Sequence, residues 1–205
     1  MEPIFQTDFK ITERDVDCCG RLMPSMILFY AQQVAGMHST EMTLGYDVLA
    51  KRRMFWAVTR HKVQIQRLPR LGETIHVETW PMPTTRVAYP RSMVAYDAEG
   101  NEVFRSISLW VLMDLDTRNM ILPGKSGISV VGTLRGNELT VPNGLPAKAL
   151  RSSRERTVCY LSEAREGQTL DLRWDFPEEN CLYMDAHRVN DEQDARVFSA
   201  RILFG

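Results

Sequence analysis

The sequence predicts an α+β domain in which an antiparallel sheet covers one long helix. A helical segment with an apolar stripe follows one short strand, and four segments of alternating apolar and polar residues come after it. Turn-forming residues separate these segments, as they do in strands linked by hairpins. A run of such strands that must cover one helix gives a layer in which the sheet wraps the helix, which is the hotdog fold.

The first elements are a strand over residues 5–11 and a helix that begins near Pro24. Turn formers fill residues 15–23, and a proline suits the first turn of a helix. Apolar residues then recur at steps of three and four residues, which predicts one helix of about four turns. The residues of this stripe are Ile27, Tyr30, Ala31, Val34 and Met37.

The rest of the first domain is predicted as one short helix and four strands. The short helix is expected over residues 43–53. Beyond it the apolar period changes to two, which predicts half-buried strands around residues 63–65 and 75–77. Two longer strands are predicted over residues 86–97 and 103–114, separated by a turn.

The later part of the chain loses this regularity and then shows strands alone. Glycine and proline accumulate over residues 114–156, which predicts a connection between domains. We therefore divide the chain into an N-terminal hotdog domain over residues 1–125, a linker over 126–156 and an incomplete C-terminal domain over 157–205 that lacks a helix. A sheet without a helix needs another cover for its apolar face, so we expect a homo-oligomer unless the first domain covers it.

Composition excludes several classes of function. The 205 residues include 44% hydrophobic and 25% charged ones, which are ordinary globular values, and the net charge is −1. We therefore expect no nucleic-acid partner and no attraction to anionic lipid. No apolar stretch is long enough to span a membrane and no signal peptide is recognisable, so we expect a cytoplasmic protein. The scattered cysteines and histidines lack zinc-ligand spacing, so no metal or other cofactor is predicted.

A family resemblance rests on five ordered segments spread over most of the chain. They are residues 17–38, 56–60 (Trp-Ala-Val-Thr-Arg), 66–80, 108–118 and 158–167. In these segments the chain resembles the bacterial acyl-ACP thioesterases, relatives of the plant plastid enzymes. The resemblance implies two tandem hotdog domains and a role in fatty acid biosynthesis. The implied reaction is hydrolysis of the thioester between a fatty acyl chain and the phosphopantetheine arm of acyl carrier protein, without a cofactor.

The catalytic signature of that family is absent where it is due. The signature has the form Asp-x-Asp-x-Asn-x-His-x-Asn-Asn and leads into the long helix of the second domain. Residues 151–157 instead have the sequence Arg-Ser-Ser-Arg-Glu-Arg-Thr. Of the catalytic set that the resemblance implies, Glu163 alone is retained. We expect Glu163 to act as a base or to orient water, and a solvated charge beside Arg165 is the alternative.

The first domain has a loop that matches the catalytic pattern in part. Asp15 and Asp17 match the two aspartates of the pattern, whereas Cys19 and Arg21 stand where Asn and His would be. Turn and capping roles are commoner for aspartate at such positions than catalysis. Cys19 and its neighbour Cys18 lack a positioned base, so we interpret them as small thiols rather than nucleophiles.

Four residues are the candidates for substrate binding. The resemblance and the apolar helix face together suggest that an acyl chain lies against Trp56, Arg60, Trp80 and Trp110. Core packing explains the three tryptophans equally well. Basic residues are the candidates for contact with the acidic carrier protein, with solvated surface charge as the alternative. These residues are Lys51, Arg52, Arg53, Arg67, Arg70, Arg151, Arg154 and Arg156.

Three functions remain open from the sequence. The first is a fatty acyl-ACP thioesterase, whose activity the absence of the catalytic segment would impair. The second is a non-catalytic hotdog protein that binds an acyl chain or acyl-ACP. The third is a single-hotdog enzyme with a site at a dimer interface, which is the weakest hypothesis because the first-domain loop lacks the His and Glu that such sites use.

Overall fold

A computed structural model describes residues 4–141, 155–161, 168–189 and 196–203. The helices within these residues are α1 (Pro24–Glu41), α2 (Tyr46–Lys51) and α3 (Pro123–Ser126). The strands, in chain order, are β1 (Phe5–Lys10), β2 (Met54–Ile65), β3 (Thr74–Pro81), β4 (Tyr89–Tyr96), β5 (Glu102–Asp114), β6 (Met120–Ile121), β7 (Glu155–Tyr160), β8 (Leu170–Glu178), β9 (Cys181–Arg188) and β10 (Arg196–Leu203).

All ten strands belong to one antiparallel sheet. Its order is β1-β3-β4-β5-β2-β7-β10-β9-β8, and the short β6 pairs with β5. The first five strands of this order wrap α1, and β7 continues the sheet from the free edge of β2. The α+β hotdog prediction is therefore confirmed. None of the helices in the described ranges is long and apolar enough to cross a membrane.

Helix α1 packs its apolar stripe on the inner face of the sheet. It begins with Pro24 in the first helical turn, and Ile27, Tyr30 and Val34 are buried against the sheet. The prediction for Met37 is wrong, because this side chain is 40% exposed. The buried stripe instead continues four residues beyond Val34, through His38, which is 1% exposed. A polar side chain thus occupies the last turn of the buried face.

Residues 128–138, the first part of the predicted linker, lie against the N-terminal domain. Ile128 is buried in a core cluster with Leu49 and Leu112. The backbone N–H of Thr133 donates to the carbonyl of Pro81 over 2.9 Å. Residues 142–154 of the predicted linker lie outside the described residues. Its last two residues, 155 and 156, belong to strand β7.

Strand β8 carries an exposed apolar face. Leu172, Trp174 and Phe176 alternate along the strand and are 50%, 67% and 59% exposed. Strands β9 and β10, which follow β8 inward from the edge of the sheet, bury more of their side chains, including Cys181 and Ala200. The apolar patch that the sequence predicts for the second sheet is therefore concentrated on its edge strand.

Candidate functional site

A cavity of about 520 Å³ lies between the helices and the inner face of the sheet. Helix α1 contributes Ala35, Gly36 and Ser39 to its wall, and α2 contributes Tyr46 and Leu49. Strands β2, β4 and β5 form the opposite wall. Because Gly36 and Tyr46 are exposed whereas Leu49 is fully buried, the cavity runs from the surface into the core.

Three aromatic side chains that carry a polar atom lie on the sheet side of this cavity, and each has that atom bonded within the protein. The indole N–H of Trp56 donates to the carbonyl of Leu44 over 3.1 Å. The indole N–H of Trp110 donates to Ser108 Oγ over 2.8 Å. The hydroxyl of Tyr89 lies 2.8 Å from Ser126 Oγ. The rings therefore contribute apolar surface to the cavity, while their polar atoms are already satisfied.

One buried cation interrupts this apolar lining. Arg91 lines the cavity and is 8% exposed. Its Nη1 donates to His38 Nδ1 over 3.1 Å and to Thr79 Oγ1 over 3.2 Å. Since arginine can only donate, His38 Nδ1 must be the acceptor. Burial lowers the pKa of Arg91 to about 10, so the guanidinium is charged at neutral pH.

The strand register extends this polar region across the sheet. Arg91 on β4 lies opposite Ser108 on β5, which lies opposite His61 on β2. Burial lowers the pKa of His61 to about 4, so this imidazole is neutral at neutral pH. Its Nε2 is buried and has no hydrogen-bond partner among the residues that the structure describes. A row of polar side chains therefore crosses the inner face beneath α1.

The structure divides the four predicted substrate-binding residues between the two faces of the sheet. Trp56 and Trp110 line the cavity. Trp80 belongs to the opposite face. It is paired across the sheet with Ser92, Ile107 and Lys62 in turn. Each of these three directly follows or precedes a residue of the inner face, Arg91, Ser108 or His61, so its side chain points the other way.

Arg60 lies on the same outer face as Trp80, since it is paired with Leu109, two residues beyond Ile107. Trp80 is 1% exposed and contacts Arg135, whose guanidinium carbon lies 4.9 Å from the ring centroid. Its indole N–H donates to Glu138 over 3.3 Å. These contacts place Trp80 under the segment 128–138 and away from the cavity.

Glu163, the candidate catalytic residue, lies outside the described residues. In the first-domain loop, Asp17 Oδ1 accepts hydrogen bonds from the backbone N–H groups of Cys19 and Arg21, which is a turn-forming role. Cys18 and Cys19 are exposed thiols.

Asp15 is buried beside Thr12 and Tyr30. Burial opposes its ionisation, but hydrogen bonds from the hydroxyl and N–H of Thr12 and from Tyr30, with the charge of Arg14, hold the pKa of Asp15 below its ordinary value. Burial, together with the charge and hydrogen bonding of Asp15, raises the pKa of Tyr30 to about 12. Asp15 therefore stabilises the turn before α1 as a carboxylate.

Several members of the predicted basic cluster have acceptors within the chain. Arg53 forms an ion pair with Asp116, and Arg67 forms ion pairs with Glu73 and Asp97. Arg52 donates to the carbonyl of Ser126 over 3.0 Å. Arg118, an exposed residue of the cavity lining, lies over the ring of Phe55 at 5.2 Å. No cluster of three metal-ligating side chains occurs among the residues described.

Sequence reasoning missed the residues that give the cavity its polar character. Arg91 shares the inner face of β4 with Tyr89, Met93 and Ala95, a face that otherwise carries apolar side chains. A charged residue in the apolar register of a strand is the signal that points to it. His38 gives a similar signal, because it continues the α1 stripe one turn beyond Val34.

A sheet wrapped around one long helix, with a largely apolar cavity beneath that helix, defines a hotdog protein. The family model for the acyl-ACP thioesterase N-terminal domain matches residues 2–122. This match covers more than half of the 205 residues, so the chain belongs to the acyl-ACP thioesterase family.

Curated relatives are similar over shorter segments. An oleoyl-acyl carrier protein thioesterase of Coriandrum sativum is 29% identical over 96 residues, which are 43% of this chain and 26% of that protein. A palmitoyl-acyl carrier protein thioesterase of Gossypium hirsutum is 24% identical over 124 residues, which are 57% of this chain and 30% of that protein. The chain thus spans less than a third of the length of either relative.

Solved structures match the fold over almost the whole chain. An acyl-ACP thioesterase from Bacteroides thetaiotaomicron has a TM-score of 0.82 at 18% identity, covering 99% of this chain and 98% of that one. The 12:0-ACP thioesterase from Umbellularia californica has a TM-score of 0.75 at 18% identity, covering 99% and 97%. At these identities the matches establish a shared fold.

Proposed function

We propose that this chain holds a fatty acyl group in the cavity beneath α1 and hydrolyses the thioester that joins it to acyl carrier protein. The observation that carries the proposal is the cavity itself. Its volume of about 520 Å³ falls within the range of roughly 300–1,000 Å³ that is usual for small-molecule sites. Walls formed by Trp56, Trp110 and Leu49 suit an aliphatic chain, and family membership supports the choice of an acyl ligand.

We assign the hydrolytic step to Glu163. Thioester hydrolysis needs a base that activates water and donors that stabilise the oxyanion. Glu163 lies in the run 158–167, which resembles the segment that follows the catalytic helix in the family. Its carboxylate would take a proton from water as water attacks the thioester carbonyl, and would return that proton to the phosphopantetheine sulfur as the C–S bond breaks.

Exposed basic residues are the proposed contacts for the acidic carrier protein. Lys51 and Arg70 are exposed, and neither side chain forms an ion pair with another described residue. Arg118 adds an exposed guanidinium in the cavity lining. Contacts of this kind accelerate encounter and weaken with salt, so binding of acyl-ACP should fall as ionic strength rises.

A second candidate is a binding protein that holds acyl chains without turnover. The observation that favours it is the sequence of residues 151–157, in which the catalytic signature of the family is absent. The cavity would then retain its ligand-binding role while the chemistry is lost.

Release of free fatty acid from a series of acyl-ACPs, measured by mass spectrometry, tests both candidates. We expect turnover that Glu163→Ala reduces by roughly 100-fold or more, the usual size of an acid–base contribution. Glu179→Ala is the matched control, because Glu179 is an exposed carboxylate at the β8–β9 turn. Binding of acyl-ACP without any turnover by the unaltered chain would establish the second candidate and exclude the first.

We also propose that the protein is a cytoplasmic homo-oligomer. Free thiols at Cys18, Cys19 and Cys181 suit a reducing compartment. The exposed apolar face of β8 offers a surface that a second copy would cover. Light scattering should give a mass above that of one chain, and Trp174→Ser should lower it. A monomer with an ordered second sheet would contradict the oligomer.

A further inference from the structure

Arg91 is a buried cation without a carboxylate partner in the described part of the chain. A buried charge is costly unless an opposite charge and hydrogen bonds compensate it. The two partners of Arg91 are His38 and Thr79, and both are neutral acceptors. The described residues therefore stabilise the guanidinium by hydrogen bonds and supply no counter-charge to it.

The hydrogen bonds to these partners use one nitrogen of the guanidinium. Both involve Nη1, and within the described residues Nε and Nη2 donate to no protein acceptor. Arginine carries five N–H donors in a planar fork that matches the two oxygens of a carboxylate. Because Arg91 belongs to the cavity lining, a ligand in the cavity has access to this donor group.

The surroundings of Arg91 define the rest of the ligand. Trp56, Leu49 and Trp110 give the cavity apolar walls, which suit an alkyl chain and offer no counter-charge. On the inner face, the residues that continue the row from Arg91 are Ser108 and His61, which are polar, uncharged and buried. An apolar enclosure with one buried guanidinium selects a long-chain anion rather than a hydrocarbon.

We propose that this cavity binds an aliphatic carboxylate, with the ligand carboxylate accepting hydrogen bonds from Nε and Nη2 of Arg91. The proposal rests on the proposed acyl cavity and names its ligand class. The carboxylate has two possible sources. It is either the C1 group of a free fatty acid or the far-end group of a dicarboxylic chain whose other end is esterified.

A purely structural role for Arg91 is the competing interpretation. Its bonds join α1 to β3 and β4, so its removal would loosen the helix in either case. The two interpretations differ in the ligand preference of the unaltered protein. A structural arginine leaves no preference for an acid over an alcohol of the same length, whereas a carboxylate-binding arginine produces one.

Tryptophan fluorescence provides the readout, since Trp56 and Trp110 line the cavity. The unaltered protein is titrated at neutral pH with decanoic acid, decan-1-ol, methyl decanoate and the monomethyl ester of decanedioic acid. We expect at least one carboxylate to bind about 10- to 100-fold more tightly than the alcohol and the methyl ester, as charged hydrogen bonds usually contribute. Tighter binding of decanoic acid identifies a free fatty acid, and tighter binding of the half-ester identifies a dicarboxylic chain.

Arg91→Gln should abolish the preference for the carboxylate and retain binding of decan-1-ol. Arg86→Gln is the matched control, because it makes the same change on an exposed loop and should retain the preference. If Arg91→Gln does not fold, the ratio is measured in Arg118→Gln, which removes the other guanidinium of the cavity lining: a retained preference assigns the carboxylate to Arg91, and a lost preference overturns the proposal. Equal affinity for acid and alcohol, or an unchanged preference in Arg91→Gln, would overturn the proposal and leave the acyl cavity intact. Binding of none of the four probes would refute the acyl cavity as well.

Discussion

The rings of Trp56 and Tyr89 meet edge to face, with centroids 4.9 Å apart and planes at 83°. The two residues lie on β2 and β4, which flank β5 in the sheet, and both rings line the cavity. Such a pair contributes about 0.5–1.5 kcal/mol beyond the burial of its area. It therefore holds the cavity wall at a defined width.

Replacing Trp56 should enlarge the cavity and alter the ligands that it accepts. We expect Trp56→Ala to shift binding toward longer acyl chains. The unfolding free energy should fall by about 2 kcal/mol, less than for a fully buried tryptophan because Trp56 is half-buried. Titration with fatty acids of increasing length measures the shift. Trp80→Phe is the control, since it alters a tryptophan on the outer face and should leave the length profile unchanged. An identical profile in Trp56→Ala would contradict this assignment.

Filling the helical wall at Gly36 should block the cavity without weakening the fold. A Cβ added at Gly36 has no neighbour within 4 Å. Glycine inside a helix costs roughly 0.5–1 kcal/mol relative to alanine, and leucine is also a good helix former. We expect Gly36→Leu to retain or increase the unfolding free energy and to weaken ligand binding at least tenfold. Urea unfolding and fluorescence titration measure the two effects separately.

Gly45 lies in the same cavity wall, but a side chain added there should lower the unfolding free energy. A Cβ there would lie 2.8 Å from Thr40 Oγ1 and 3.1 Å from Thr40 Cα. Gly45→Ala should therefore lower the unfolding free energy by about 1–3 kcal/mol, as overpacking usually does. If Gly36→Leu destabilised the protein as much as Gly45→Ala, the space beside Gly36 would not be open.

The attachment of residues 128–138 should depend on Gly132. A Cβ at this position would clash with the backbone nitrogen of Pro83 and with the carbonyl carbon of Met82. Because both contacts are to backbone, Gly132→Ala should displace the segment and break the hydrogen bond from Thr133 to Pro81. We expect faster proteolysis within residues 128–138. Gly124→Ala, with no atom within 4 Å of its Cβ, should digest at the normal rate.

Burial of His61 should make stability depend on pH between about 6.5 and 4. The pKa of His61 is lowered from 6.5 to about 4, so the unfolded chain binds more protons than the folded one in this interval. Stability is therefore complete above pH 6.5 and falls as the pH drops, by about 3 kcal/mol at pH 4. His61→Leu should flatten this dependence in urea unfolding. An equally steep dependence in His61→Leu would assign the effect to other groups.

The sequence predicted the elements better than it predicted the faces of the sheet. The apolar stripe of α1 and the period-two strands follow from spacing alone. Trp56 and Arg60 are four residues apart, so regular alternation places both on one face. A β-bulge between Val58 and Arg60 shifts the phase of β2 and sends Arg60 to the outer face. The apolar pattern of β2 does not reveal the position of this bulge, so the sequence could not predict the face on which Arg60 lies.

The position of Trp80 depends on pairing between strands. Its face is set by its register with Ser92 on β4, which no local pattern in β3 contains. Arg91 was missed for a related reason, because its environment arises where α1, β3 and β4 meet. The surroundings of a cavity residue come from residues that are distant in sequence, whereas a local pattern predicts only which residues share a strand or a helix.

The pairing of β7 with β2 has a consequence for the whole molecule. Residues 60–64 would otherwise present a row of unpaired amide and carbonyl groups at the border of the first domain, and residues 155–159 occupy that row. An exposed edge strand of this kind can pair with strands of other chains and so lead to aggregation. The pairing with β7 therefore protects this border of the first domain against aggregation, and it does so through backbone hydrogen bonds alone.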